Sequence, residues 1–162
     1  MPVSPNLDIL NSAKYLYLRE LSEPKDNSLR LVVQEAVENH AGPIGFNAPE
    51  LAGILKDAVP IESTERCKTF ELSWNHYVAY LVTEECVGSC GGFDDETYTG
   101  KVVRIYAKSH FLDHLARDTG GHTNPIQHYK VICLNHLIDI AAYAPPEILE
   151  LNSGPAKPLR IQ

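Results

Sequence analysis

GKVVRIYAKSHFLDHLARDTGGHTNPIQHYKVICLNHLIDIAAYAPP, residues 100–146, contains each kind of element the fold needs, and five of the chain's seven histidines. Lys101 to Ala107 alternates, with Val103 and Ile105 on one side and Val102, Arg104 and Tyr106 on the other, the period of a strand. Ser109 stands where a hydroxyl can accept an N–H of a first helical turn, so a helix is expected from His110 to about Asp118. Phe111, Leu112 and Leu115 form its apolar stripe, Asp113 and Arg117 an i,i+4 ion pair, and Gly120-Gly121 its stop. Lys130 to Tyr143 is a second apolar run, interrupted by Asn135-His136. Its second half reads equally as strand or helix, because Ala141 and Ala142 blur the alternation, and Pro145-Pro146 ends it.

Upstream, Cys67 to Trp74 alternates most cleanly, with Phe70, Leu72 and Trp74 on one face. The β-formers of Tyr77 to Glu85 follow after Asn75-His76. Asn tolerates the left-handed backbone that a two-residue hairpin turn requires, so a tight hairpin is expected there. Lys14–Ser22 and Leu29–Glu38 also alternate, and the turn-forming residues 23–28 between them predict another hairpin. A loop over 39–49, a short helix over 49–57, a brief strand over 59–62 and a glycine-rich acidic loop over 88–100 complete the middle of the chain. Residues 1–12 and 152–162 are expected to be poorly ordered. The expected architecture is a single α+β domain over 1–162. It has an antiparallel sheet of six or seven strands built from hairpins, with one or two short helices packed on one face.

Composition narrows the function classes. Fourteen Lys and Arg against twenty-one Asp and Glu leave a net charge of −7, with the basic residues scattered, which disfavours nucleic acid and anionic membrane surfaces. No apolar run is long enough to span a bilayer, and the first residues lack a secretory pattern. A soluble, cytoplasmic protein with free thiols is expected, with Cys67 and Cys133 in or near the core.

Two constellations could carry chemistry. Cys86-x3-Cys90 followed by His110-x3-His114 resembles the donor set of a structural zinc site, and the two histidines lie one helical turn apart. Against it, a strand and an acidic loop intervene between the pairs, and Cys90 and the histidines read as readily as solvated loop and helix residues. The second is a histidine-lined cleft of His110, His114, His122 and His128, in which Asp113 or Asp139 would orient an imidazole base. Loop histidines are common without such a role. Cys90 is a poor nucleophile, since Asp94, Asp95 and Glu96 follow it and no basic residue flanks it. The same acidic loop lacks the alternating aspartates of a calcium site. Phosphate-cradling glycine motifs, the Gly-x-Ser-x-Gly elbow and His-Glu-x-x-His are absent from the sequence.

Eight tyrosines against four phenylalanines suit strands whose outer face meets either solvent or a partner. The expected function is therefore a small acidic binding or interaction protein without catalysis, using a tyrosine-bearing sheet surface and a protein partner. A zinc-dependent enzyme built on the Cys/His cluster is the alternative; no cofactor other than zinc is indicated.

Overall fold

The computed structural model describes residues 5–40, 58–87, 95–120 and 125–151. Within them lie helix α1 (Pro5–Ser12) and strands β1 (Tyr15–Ser22), β2 (Leu29–Glu38), β3 (Ile61–Glu62), β4 (Thr69–Trp74) and β5 (Tyr77–Glu84). They continue as β6 (Thr97–Thr99), β7 (Val103–Lys108), α2 (His110–Asp118), β8 (Gln127–Ile132), β9 (His136–Ala142) and β10 (Glu147–Leu151). The expected helix over 49–57 and the tail 152–162 lie outside the described residues.

The antiparallel α+β class holds, but the strands form two sheets rather than one of six or seven. The first runs β1-β2-β4-β10 with β3 joined to β2, and the second β5-β9-β8-β7-β6. Two of the extra strands were hidden by their setting: β6 is three residues inside a polar stretch, and β10 follows a double proline.

β1 and β2 pair antiparallel across the 23–28 turn, where Asn27 takes φ 59°. β4 and β5 do not pair, contrary to the hairpin expected at Asn75-His76. β4 lies between β2 and β10, whereas β5 pairs with β9. A primed hairpin turn needs positive φ at its central residues, and neither Asn75 nor His76 has it. The chain instead turns a corner there from one sheet to the other. At Asn135-His136 the two strands do pair, Ile132 opposite Leu137.

The sheets share one core. Leu31, Phe70 and Leu72 of the first belong to the same buried cluster as Val131, Ile138 and Ile140 of the second, and Trp74 meets Tyr129 with ring centroids 5.9 Å apart. β9 is buried on both faces, as Ile138 and Ile140 point into this core while Leu137, Asp139 and Ala141 are buried opposite.

Residues 5–12, expected to be poorly ordered, form α1 instead, with Leu7 and Leu10 one turn apart in the core. Its polar face is tied down as well. Asn6 Nδ2 donates to Ile148 O of β10 at 2.7 Å. Asn11 Oδ1 accepts the consecutive N–H groups of Lys101, Val102 and Val103 at 2.9, 3.0 and 3.0 Å. Such a row of converging N–H groups is an anion-binding nest, filled here by a side-chain amide oxygen. Gly100 makes the turn into it at φ 91°.

α2 starts where its cap dictates, with Leu112 N–H donating to Ser109 Oγ at 3.2 Å, and is capped at its C-terminus by Thr119, one residue before Gly120. Its apolar stripe of Phe111, Leu112 and Leu115 is half-buried. Among the described residues no helix is long and apolar enough to cross a membrane.

Candidate functional site

β7, β8 and β9 lie side by side, and their registers align Tyr106 with His128 and His128 with Ala141, two residues from Asp139. On this face, away from the core, His128 Nε2 lies 2.9 Å from Asp139 Oδ1 and its Nδ1 lies 2.7 Å from Ser109 Oγ. The tautomer with its proton on Nε2 completes one directed chain: Leu112 N–H to Ser109 Oγ, Ser109 O–H to His128 Nδ1, and His128 N–H to Asp139. Lys130 Nζ reaches the same Asp139 oxygen at 3.4 Å. Tyr106 stacks on the imidazole at 4.2 Å between ring centroids, and Phe111 leans on it at 5.1 Å.

A serine, histidine and aspartate in line suggest nucleophilic catalysis, where the histidine takes the serine proton and the aspartate orients it. Access argues otherwise. Ser109 is 4 % exposed and His128 2 %, and the hydroxyl oxygen already caps a helix. The neighbouring His110 N–H, which would have to receive an oxyanion, donates to Glu96 Oε1 at 2.9 Å. The cluster is a closed strut that fastens the start of α2 to three strands.

The other candidate residues are scattered. His110 is exposed, with Nε2 2.7 Å from Asp95 Oδ1; that contact and Lys108 hold the Asp95 carboxyl below its usual range. His114, also exposed, has Nε2 3.4 Å from Asp118. Cys86 is exposed in the turn after β5, where a hydrogen bond to Glu84 and the charges of Glu84 and Glu85 push its thiol up. Cys90 and His122 lie outside the described residues.

The registers separate Cys86 from the helix. Glu84 pairs with the start of β9, level with the start of β7, while α2 begins beyond the other end of β7. Among the described residues no group of three or more His, Cys, Asp or Glu is gathered as a metal would require.

A surface that the histidine pattern did not point to is the outer edge of β5. This strand pairs with β9 on one side, and among the described residues no strand pairs with the other. Leu81 is 51 % exposed and Val82, on the opposite face, 38 %. Near the start of the strand, Tyr77 and Tyr80 meet edge to face at 5.0 Å and both hydroxyls donate to Glu23 Oε1, at 3.0 and 2.8 Å. Those bonds raise both phenol pKa values. At its far end stand Glu84 and Glu85. The signal was present in the sequence: Tyr77 to Val82 is apolar without a break, whereas a half-buried strand alternates.

No family model matches the chain, and comparison with curated proteins and with solved structures likewise finds no match.

Proposed function

We propose that the protein is a non-catalytic binding protein that engages a protein partner along the open edge of β5. The observation that carries this reading is the coincidence, on one eight-residue strand, of exposed Leu81 and Val82 with an edge that no strand pairs among the described residues. Unpaired N–H and C=O groups in a row offer a partner strand ready hydrogen bonds, and proteins ordinarily guard such an edge with lysine, proline or a covering element. β5 contains no lysine and no proline; its one irregularity is the bulge between Tyr77 and Ala79 at its tethered start. The tyrosine pair and the acids beside it supply the amphipathic, charged margin that interfaces use. The closed Ser109–His128–Asp139 strut supports the same reading, because the arrangement nearest to a catalytic one has no opening to substrate.

Hydrogen exchange on the protein with and without its co-purified partner tests this. Slowed exchange of β5 amides, abolished together with binding by Leu81→Glu, is the expected result. A partner that binds without protecting β5 would refute the reading.

A further inference from the structure

The edge is acidic at both ends. Glu84 and Glu85 close its far end, and Glu23, held by the Tyr77 and Tyr80 hydroxyls, flanks its start. Among the described residues none of these three carboxylates is in an ion pair with a lysine, arginine or histidine, although most ionic side chains of the first sheet are paired, as Arg30 is with Glu20 and Glu71. The strand between them contributes no positive charge.

Resting on the reading above, we propose that the occupant of β5 is an extended segment of another protein, apolar in its middle and carrying Lys or Arg at both ends, which adds as a sixth strand to the second sheet. Its backbone pairs with the outward N–H and C=O groups of β5 beyond Tyr77, whose own N–H already donates to Asn27 O at 2.8 Å; its alternate side chains lie against Leu81 on one face and Val82 on the other, and its basic ends meet Glu23 and Glu84–Glu85. Charge also decides against a second copy of this chain. Antiparallel self-pairing would bring Glu84 and Glu85 of each copy toward Tyr77 and Glu23 of the other, setting acid against acid at both ends.

A random peptide library displayed on phage, selected against the full chain, supplies the probe. The enriched sequences are expected to place Lys or Arg on both sides of a β-branched or aromatic run. A synthetic peptide of the selected sequence is expected to bind the exposed-site variant Glu84→Lys/Glu85→Lys about tenfold or more weakly, to lose affinity as salt rises, and not to bind Leu81→Glu. Thermal unfolding of both variants at the wild-type temperature confirms that the edge alone was changed.

Peptides that require Leu81 but carry no basic flanks would overturn the charge recognition and leave edge binding standing. No enrichment, or binding indifferent to Leu81→Glu, would overturn both. A concentration-dependent dimer in sedimentation, abolished by Leu81→Glu, would make the occupant a second copy and overturn the inference.

Discussion

The side-chain amide of Asn135 pairs with the backbone of Leu18 like a neighbouring strand, its Oδ1 accepting Leu18 N–H at 2.9 Å and its Nδ2 donating to Leu18 O at 3.1 Å. Leu134 N–H donates to Leu16 O alongside, at 2.7 Å. The turn between β8 and β9 thus covers the outer edge of β1 and joins the two sheets. Among the described residues β5 is covered only at its start, where Tyr77 N–H donates to Asn27 O at 2.8 Å, so from Ala79 onward it, and not β1, offers the edge on which the functional proposal rests.

Asn135→Ala strips Leu18 of both backbone partners at a position 8 % exposed. A loss of about 2 kcal/mol in urea unfolding is expected, from two buried polar groups left unsatisfied. Asn75→Ala, in the other Asn-His pair, removes an exposed side chain from a corner and should stay within about 0.5 kcal/mol of wild type.

Ser109→Ala removes a helix cap and should cost about 1 kcal/mol, while His128→Ala should cost about 3 kcal/mol by removing a buried hydrogen-bond partner of Asp139 and opening a cavity between Tyr106 and Phe111. Because both lie in one hydrogen-bond chain, the double variant should lose less than the sum, which a double-mutant cycle measures. A closed cluster also predicts that a fluorophosphonate probe labels wild type no more than Ser109→Ala. Labelling specific to Ser109 would reinstate the catalytic reading.

Two glycines with positive φ should respond differently to alanine. At Gly100 (φ 91°) a Cβ would stand 2.1 Å from Val103 O, a backbone atom that cannot give way, so more than about 2 kcal/mol of destabilisation is expected. At Gly120 (φ 70°) nothing among the described residues lies within 4 Å, so Gly120→Ala should cost only the conformational strain, about 1 kcal/mol. Urea unfolding of the two variants makes the comparison.

Burial pushes the Cys133 thiol from 9.0 up to about 12 and the Tyr129 phenol from 10.0 up to about 12. The folded chain therefore keeps both protons where the unfolded chain has released them. Stability should be intact below about pH 9 and fall progressively between there and about pH 12, the unfolded state binding fewer protons throughout that window. Melting temperatures across this range should decline less steeply for Cys133→Val; an unchanged slope would mean the thiol plays no part.

Much of the local structure was legible in the residues. The cap Ser109 and the stripe behind it marked α2 to its first residue, and alternation marked β1, β2, β4 and β7 to within one or two, because capping and side-chain period act over a single turn or pleat. Leu7 and Leu10 carried too short a periodicity to announce α1; a two-turn helix is stable here because β10 and the nest before β7 receive it.

Sheet membership was beyond the sequence. β4 and β5 show the same β-forming composition on either side of Asn75-His76, and nothing in either states that one pairs with β2 and the other with β9. Asp139 was legible as one of two aspartates that could orient a histidine of the set containing His128, and Ser109 only as a helix cap; that Asp139 meets His128, and His128 meets Ser109, across separations of 11 and 19 residues depends on the registers of three strands. The sequence by itself determined the antiparallel β-rich class, the capped helix, the buried cysteines and the acidic charge. Tertiary structure decided which strands share a sheet, that His128 is sealed, and that β5 stands at an edge among the described residues. Those outcomes come from competition among distant apolar faces for one core, which no window of neighbouring residues contains.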